Sequence, residues 1–330
     1  MAKRALITGI TGQDGSYLAE WLLSQGYEVH GLVRRTNATD GSHIEGLCND
    51  PEIFNRRLFL HFAELTEATA LRRVLAEVAA DEVYHLAAQS HVGLSFDMAE
   101  ITCEITAMTT LRLLSILRDL PAGTRFFHAS SSEIFGRPAS SPQDESTPVN
   151  PVNPYGCAKA YATQMARVYR ENYRLHISNG ILYNHESPRR GENFVTRKIT
   201  RAAASIKLGL SKDLVMGSVE AQRDWGHAED FTRGMWLALQ QAEPGDYVFA
   251  TGKLHSVRDV LDIAFSALNL RWEDFVKQDD KFMRPAEPSQ LVGNAAKAKT
   301  SLNWQPKWTF GSMIEQMVRA DYDRLQAQQR

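Results

Sequence analysis

The stretch that decides the fold lies at the start of the chain, which reads RALITGITGQDGSYLAEWLL over residues 4–23. An apolar run typical of a β-strand leads into a turn containing Gly9, Gly12 and Gly15, and an amphipathic run typical of a helix follows. The first glycine permits a tight turn, the second lets the backbone approach a phosphate, and the third allows close helix–strand packing. Because unpaired N–H groups at a helix start attract anions, the pattern predicts a dinucleotide-binding turn.

Short β-like runs alternate with longer helical patterns through the first half of the chain. The predicted strands are residues 4–8, 28–33, 58–62, 82–86, 125–129 and 176–182. The predicted helices are residues 14–25, 67–79, 98–120 and 154–173. This alternation predicts an α/β fold, a Rossmann-type doubly wound parallel sheet with helices on both faces. Since ligands bind beyond the carboxyl ends of such strands, we expect the glycine turn, residues 86–90 and residues 130–133 to line one crevice.

The regular alternation of strands and helices ends after about residue 185, where loops become richer in charged residues and proline. We therefore predict that residues 1–185 form the dinucleotide-binding domain with the catalytic residues. Residues 186–330 are predicted to form mainly a smaller C-terminal α/β lobe that binds substrate. Some crossing of the chain between the two lobes is expected, because the strand near Ile181 belongs to the sheet while the following loop belongs to the lobe.

Composition excludes several functional classes. Apolar residues make up 43% of the 330 positions and charged residues 23%, and the net charge is -2, so no basic surplus indicates a nucleic-acid partner. No apolar stretch approaches the ~20 residues of a membrane helix, and no signal peptide is evident. The three cysteines suggest neither a disulfide framework nor a metal site, and the ten histidines show no metal-ligand spacing. A cytoplasmic enzyme without a metal is expected.

NADP is the predicted cofactor. Where NAD-preferring folds carry an acidic residue after the second strand, this chain has Arg34 and Arg35, and no carboxylate occurs before Asp40. Guanidinium groups are natural partners of a 2′-phosphate, which distinguishes NADP from NAD. Glu64 and Leu65, just past the third strand, are expected to lie near the adenine.

A tyrosine and a lysine lie four residues apart at Tyr155 and Lys159, so a helix would place both on one face. Asn153 is a good N-cap and Pro154 a good first helical residue, which predicts that this helix begins just before Tyr155. A nearby ammonium favours the phenolate, and we therefore expect Lys159 to lower the pKa of Tyr155 from its usual ~10. Tyr155 could then take a proton from a substrate hydroxyl while hydride leaves the same carbon.

The chain resembles the extended short-chain dehydrogenase/reductase superfamily and, within it, the GDP-mannose 4,6-dehydratase family. The resemblance covers nearly the whole length and includes residues 5–20, GILYNHESPRRG at 180–191, FVTRKIT at 194–200, RDWGH at 223–227 and WQP at 304–306. The segments at 184–190 and 223–227 are far more specific than the glycine pattern. The resemblance implies a lyase that removes water from GDP-D-mannose to give GDP-4-dehydro-6-deoxy-D-mannose.

The resemblance also implies roles for single residues. Tyr155 would deprotonate the C4 hydroxyl while hydride passes from C4 to NADP⁺, and Glu133 would remove the C5 proton and help expel the C6 hydroxyl, after which hydride returns to C6. Ser131 would hydrogen-bond O4, and Lys159 would orient the nicotinamide ribose. The implied cofactor-binding set is Gly9, Thr11, Gly12, Gln13, Asp14, Gly15, Arg34, Arg35, Glu64, Leu65, Leu86, Ala88, Ser90, Tyr155, Lys159, His185 and Arg190. The implied substrate-binding set is Ser90, Asn184, Val195, Lys198, Leu214, Gly217, Arg223, Arg284 and Glu287, with the two arginines on the diphosphate.

Two departures from the family pattern leave alternatives open. The family usually has threonine where this chain has Ser131, and often a tyrosine where it has Ile101.

A GDP-manno-heptose could replace the hexose as substrate. A GDP-4-keto-6-deoxymannose reductase uses the same fold, but it needs no base at C5 and so would not need Glu133. A non-catalytic NADP-binding regulator is a further alternative. By resemblance, the protein is expected to be a homodimer or homotetramer.

Overall fold

The computed structural model describes residues 2–34, 42–121, 123–279, 281 and 290–329. The strands of the first half are β1 (Arg4–Thr8), β2 (Glu28–Val33), β3 (Leu58–Phe62), β4 (Glu82–His85), β5 (Arg125–Ser131) and β6 (Ile177–Leu182). The helices of the first half are α1 (Gln13–Ser24), α2 (Glu45–Cys48), α3 (Ala68–Val78), α4 (Val92–Asp97), α5 (Ala99–Cys103), α6 (Thr109–Asp119) and α7 (Pro154–Tyr173). A π-helical segment, Glu104–Met108, joins α5 to α6.

The second half contains shorter elements. Its strands are β7 (Asn184–Glu186), β8 (Leu214–Met216), β9 (Gln222–Arg223), β10 (Trp225–His227), β11 (Asp246–Phe249), β12 (His255–Ser256) and β13 (Val276–Gln278). Its helices are α8 (Val195–Lys207), α9 (Ala228–Gln240), α10 (Val257–Ser266), α11 (Ala296–Leu302) and α12 (Phe310–Gln328).

Seven parallel strands form the central sheet, in the order β11-β6-β5-β4-β1-β2-β3. The strand order runs in opposite directions on either side of β1 and β4, and sheets of this kind bind ligands at such a reversal. Both faces of the sheet are covered by helices: α1, α9 and α11 pack on one face, and α3, α6 and α7 on the other. The predicted Rossmann-type sheet is confirmed.

The smaller lobe has a hydrophobic core of its own. Side chains of α8, α10 and α12 pack together there with those of β8. Three two-stranded sheets complete this part of the chain: β7 with β10, β9 with β12, and β8 with β13. The lobe is therefore α/β, as the sequence predicts.

Two features differ from the sequence prediction, and a third concerns the expected crossing of the chain between the two lobes. The helix expected over residues 98–120 is interrupted by the π-helical segment. Strand β5 continues two residues beyond the predicted end, because Ser130 and Ser131 pair with Ile181 and Leu182. The division at residue 185 is crossed extensively, since β11 hydrogen-bonds to β6 and completes the main sheet. An isolated short run such as residues 246–249 carries no signal in sequence for joining a sheet formed more than sixty residues earlier.

Candidate active site

The glycine turn forms a tight cradle at the start of α1. Gly9 adopts a positive φ of 78°, and a Cβ there would lie 3.0 Å from the backbone nitrogen of Ala87. A Cβ on Gly15 would lie 2.2 Å from the Gly9 carbonyl oxygen, so the helix can approach the turn only without a side chain at this position. The N-cap of α1 is Gly12, and among the described residues no side chain caps this end of the helix. The turn therefore presents backbone N–H groups, as a pyrophosphate requires.

Gln13 and Asp14 connect this turn to the second half of the chain. The Gln13 amide donates to the His185 carbonyl at 3.0 Å and accepts from the Ser187 hydroxyl at 2.8 Å. Asp14 Oδ2 lies 2.8 Å from His185 Nε2, while His185 Nδ1 lies 2.7 Å from the Tyr183 carbonyl. Because both ring nitrogens of His185 are occupied, its imidazole holds the turn in place. A ligand contact from Gln13 or Asp14 would come from the backbone.

The contact between Asp14 and His185 shifts the pKa of both side chains. Burial would lower the pKa of His185, but the Asp14 carboxylate and its hydrogen bond raise that pKa above the usual value. Burial would likewise raise the pKa of Asp14, but the charge and hydrogen bond of His185 lower it. The pair is therefore an ion pair between α1 and β7 when His185 is protonated.

A buried hydroxyl fixes the loop after β4. Thr8 Oγ1 accepts hydrogen bonds from the backbone N–H groups of Leu86 and Ala87, each at 3.2 Å. Its own proton therefore goes to His85 Nδ1, which lies 2.8 Å away. Burial lowers the pKa of His85 to about 3, so this histidine is a neutral acceptor. Leu86 and Ala88 thus follow β4 at the rim of the crevice, and Ser90 is exposed beyond them.

The expected nucleotide-side residues lie at the ends of β2 and β3. Arg34 is exposed and directly follows β2, whereas Arg35 lies outside the described residues. Glu64 and Leu65 follow β3 and are half-buried. The Thr109 hydroxyl donates to the Leu65 carbonyl at 3.2 Å and so links this loop to α6.

The four predicted catalytic residues come from β5, the 3₁₀ turn that follows it, and α7. Ser131 ends β5, and Glu133 lies in the 3₁₀ turn that follows, where its backbone N–H donates to Ser131 Oγ at 3.2 Å. Tyr155 and Lys159 lie one turn apart on the buried face of α7, which begins at Pro154 as predicted. The structure therefore brings the end of β5 and the start of α7 together at the mouth of the crevice.

The expectation that Lys159 lowers the pKa of Tyr155 is wrong for this structure. Burial raises the pKa of Tyr155 to about 12, despite the hydrogen bond with Ser131 and the nearby charge of Arg190. The Lys159 ammonium donates to the Ala129 carbonyl at 2.6 Å and lies 5.9 Å from the centre of the Tyr155 ring. Burial lowers the pKa of Lys159 itself to about 8. Desolvation, which spacing cannot reveal, outweighs the charge effect here.

Sequence reasoning identified Asn153 only as a helix cap. Its Oδ1 does accept from the Gly156 N–H at 2.8 Å, and its Nδ2 also donates to Glu133 Oε2 at 2.7 Å. The second contact joins residues twenty positions apart. No local signal in the sequence could have revealed it.

Apart from Ser90, the described residues of the expected substrate-binding set lie in the second half of the chain. Asn184 begins β7 opposite Trp225 of β10, and Arg223 lies on the adjoining β9. The other described members of the set are Val195 and Lys198 on α8, Leu214 on β8 and Gly217 just after it. Lys198 Nζ donates to the carbonyl of Val215 at 2.9 Å, which ties α8 to β8. Arg284 and Glu287 lie outside the described residues.

The charge of Arg190 acts on Tyr155, and its guanidinium contacts residues of the second half of the chain. Its guanidinium lies 3.6 Å from the centre of the Phe194 ring, and its Nε lies 3.1 Å from Glu186 Oε2.

Arg197 donates to the carbonyls of Pro188 and Arg190, each at 2.8 Å. A buried ion pair with Asp321 of α12 holds Arg197, with 2.6 Å between Nη2 and Oδ1. Sequence reasoning missed this pair, because its members are 124 residues apart.

Within the described ranges, no group of three or more histidine, cysteine, aspartate or glutamate side chains is arranged to hold a metal ion. Among the same residues, no helix combines the length and apolarity that crossing a membrane would take.

The family model for GDP-mannose 4,6 dehydratase matches residues 6–317. The chain belongs to this family. It is 49% identical to GDP-mannose 4,6 dehydratase 2 of Arabidopsis thaliana, over 97% of this chain and 87% of the relative. It is 45% identical to the human GDP-mannose 4,6 dehydratase, over 97% of this chain and 92% of the relative.

Solved structures of related sugar-nucleotide enzymes share the fold. The dTDP-glucose 4,6-dehydratase DesIV of Streptomyces venezuelae, solved with NAD and TYD bound, matches with a TM-score of 0.85 and 25% identity over 98% of each chain. RMD from Pseudomonas aeruginosa, solved with NADPH, matches with a TM-score of 0.81 and 22% identity over 98% of this chain and 99% of that chain. At the latter identity the likeness extends to the fold alone.

Proposed function

We propose that the protein converts GDP-D-mannose to GDP-4-dehydro-6-deoxy-D-mannose and water, with NADP as hydride carrier. The observation that carries this proposal is the position of Glu133 beside Ser131, Tyr155 and Lys159 in a chain of the GDP-mannose 4,6-dehydratase family. Oxidation at C4 needs one base, whereas elimination across C5 and C6 needs a second. Glu133 supplies the second base, so the arrangement favours a dehydratase over a simple reductase.

The residues present fit a nicotinamide dinucleotide. The cradle at Gly9 and Gly15 has no room for a Cβ, and the uncapped start of α1 would hold the pyrophosphate. Arg34 would pair with the 2′-phosphate of NADP. When bound, the dinucleotide would supply a reversible hydride acceptor for C4 and C6 of the hexose.

Tyr155 is the base that would take the proton of the C4 hydroxyl, and Ser131 would hydrogen-bond the same oxygen. With its pKa raised to about 12, Tyr155 needs added positive charge before it can act near neutral pH. Lys159, one helical turn away, can supply that charge if its ammonium turns from the Ala129 carbonyl toward the phenol. Reorientation of Lys159 would therefore accompany formation of the reactive complex.

Glu133 would act once C4 has become a ketone, because a ketone acidifies the neighbouring C5–H bond. The carboxylate takes the C5 proton, the C5–C6 double bond forms, and the C6–O bond breaks. The same proton leaves with the C6 hydroxyl as water. After hydride has reached C6, C5 takes up a proton, which balances the proton that Tyr155 removed from the C4 hydroxyl. Carbon C4 has then been oxidised and C6 reduced, so no net oxidation or reduction of the sugar remains.

Cations on the lobe would hold the two phosphates of the substrate. Arg223 on β9 and Arg284 would bind them, because a guanidinium can pair with phosphate oxygens through two N–H groups. Lys198, Val195, Leu214 and Gly217 would surround the nucleoside, and Asn184 would reach the sugar or the diphosphate. Glu287 would bind the nucleoside ribose.

The decisive assay mixes the purified protein with GDP-mannose and catalytic NADP⁺, and follows product mass and the absorbance of reduced nicotinamide. A product lighter by one water, without accumulation of NADPH, supports the dehydratase. Stoichiometric consumption of NADPH with a 4-keto substrate would instead indicate the reductase. Turnover of a GDP-manno-heptose but not of GDP-mannose would identify the heptose derivative as the substrate. Binding of NADP without turnover of any of these compounds would indicate a regulator.

The Glu133→Gln variant tests the role of the second base. It should bind the cofactor normally and slow elimination by about 100-fold or more, while C4 oxidation slows much less. Equal loss of the two steps would contradict the assignment of Glu133.

The Arg34→Ala variant tests the choice of cofactor. It should weaken binding of NADP⁺ but leave binding of NAD⁺ nearly unchanged. Equal weakening of both would contradict the assignment of Arg34.

We also propose that the protein works in the cytoplasm as a homodimer or homotetramer. Support for the compartment comes from Cys48, Cys103 and Cys157, which are all free thiols. The oligomer is proposed from the family resemblance, and sedimentation of the purified protein at several concentrations tests it. A monomer at all concentrations would overturn this part of the proposal.

A further inference from the structure

The amide of Asn153 joins the start of α7 to the carboxylate of Glu133. Its Oδ1 accepts from the Gly156 N–H at 2.8 Å, and its Nδ2 donates to Glu133 Oε2 at 2.7 Å. Asn153 is 6% exposed, so water competes little for either bond. A single side chain thus contacts both the helix that carries Tyr155 and the proposed base for C5.

Capping the helix does not account for the second bond. An N-cap needs only a side-chain oxygen that accepts from the first turn, and serine, threonine or aspartate would serve as well. Asparagine differs from these residues in having an NH₂ group that donates. In Asn153 this NH₂ group donates to the Glu133 carboxylate, and the resulting bond is a hydrogen bond to a charged group.

The backbone of Glu133 is fixed independently of Asn153. Its N–H donates to Ser131 Oγ at 3.2 Å, and its carbonyl packs so closely on α7 that a Cβ on Gly156 would lie 2.6 Å from the oxygen. These contacts hold the main chain but leave the carboxylate free to rotate. In the described part of the chain, Asn153 is the residue that donates a hydrogen bond to this carboxylate.

We propose that Asn153 is a positioning residue for the elimination step. By binding Oε2, it turns the other carboxylate oxygen of Glu133 toward the place where C5 of the hexose must lie. Because the same side chain sets the start of α7, it also fixes the base for C5 relative to Tyr155, the base for the C4 hydroxyl. This inference rests on the proposed dehydratase function.

Two substitutions separate the positioning role from the capping role. Asn153→Ser keeps the cap but removes the donor, and Asn153→Asp keeps size and cap but places a second carboxylate beside Glu133. Asn150→Asp is the matched control, because Asn150 is exposed and its amide donates to the Arg137 carbonyl, away from Glu133. Single-turnover reactions with GDP-mannose and NADP⁺ report C4 oxidation as absorbance of reduced nicotinamide and elimination as loss of water by mass.

Both Asn153 variants should slow elimination by about tenfold or more, which is the usual cost of losing a hydrogen bond to a charged group. C4 oxidation should stay within about twofold of the wild type, so reduced nicotinamide accumulates in the variants but not in the wild type or in Asn150→Asp. The accumulating absorbance is a signature that a merely structural role would not produce.

Parallel loss of both steps together with a lower unfolding temperature would show that Asn153 is only a cap, and unchanged kinetics would overturn the proposal directly. Glu133→Gln, run alongside, identifies which idea fails. Normal elimination in Glu133→Gln would contradict the proposed role of Glu133 in the function itself. Slow elimination in Glu133→Gln with normal elimination in both Asn153 variants would overturn only the inference about Asn153.

Discussion

Replacing Lys159 by methionine should make the protein more stable while it strongly reduces catalysis. Methionine matches the length of the lysine stem and carries no charge into the interior. Burial lowers the pKa of Lys159 from 10.5 to about 8, so the folded state holds this ammonium less favourably than water does. Functional sites commonly carry such a cost, since activity and stability make different demands on the same residue.

The size of the effect follows from the shift. Below about pH 8, Lys159 is charged in both the folded and the unfolded chain, and the shift corresponds to a destabilisation of about 3 kcal/mol. The variant also loses the hydrogen bond from Lys159 to the Ala129 carbonyl, and this loss offsets about 1 kcal/mol of the gain in stability. We therefore expect Lys159→Met to be about 2 kcal/mol more stable than the wild type near pH 7.

The sign of the pH dependence follows from the same group. Between pH 8 and 10.5 the folded wild type releases the Lys159 proton while the unfolded chain retains it, so the stability of the wild type rises relative to that of the variant. The advantage of Lys159→Met should shrink by about 2 kcal/mol between about pH 7 and about pH 9.5. Other titrating groups are common to both proteins and cancel in the difference.

Urea denaturation of both proteins without added cofactor, at the two pH values, measures this difference. Lys212→Met is the control, because Lys212 is exposed and its loss should produce no comparable change with pH. A variant that is less stable than the wild type near pH 7 would refute the reasoning, as would a difference that does not change with pH. Activity should fall by about 100-fold or more, because Lys159 is the cation next to Tyr155.

Two further predictions concern packing and a buried ion pair. Gly15→Ala should abolish tight cofactor binding and lower stability, since its Cβ would lie 2.2 Å from the Gly9 carbonyl oxygen. Gly46→Ala is the control, because no atom of the described residues lies within 4 Å of the added Cβ, and it should bind cofactor normally in a titration of both variants. Normal binding by Gly15→Ala would contradict the close approach described for the turn. Asp321→Ala should lower the free energy of unfolding in urea by about 3–5 kcal/mol, because it leaves the buried Arg197 guanidinium unpaired. A loss below about 1 kcal/mol would mean that water reaches Arg197 in the variant.

The local features of the candidate site could be predicted because each depends on residues that are close in sequence. The glycine turn, the start of the helix at Pro154 and the four-residue spacing of Tyr155 and Lys159 each depend on neighbouring residues only. The parallel direction of the strands follows from the alternation of elements, because parallel strands need helical crossovers. The ends of these strands meet at one edge of the sheet, so the crevice could also be predicted.

Sequence alone therefore determined the class of fold, the turn that suits a dinucleotide, and the residues that gather at the sheet edge. Tertiary structure decided the Asn153–Glu133 contact, the Arg197–Asp321 ion pair and the return of β11 to the sheet, since each joins positions distant in the chain. It also decided that the pKa of Tyr155 rises where the spacing to Lys159 predicts a fall. The physical reason is that burial is a property of the whole fold, and the cost of removing a charge from water can exceed the attraction of a single neighbour.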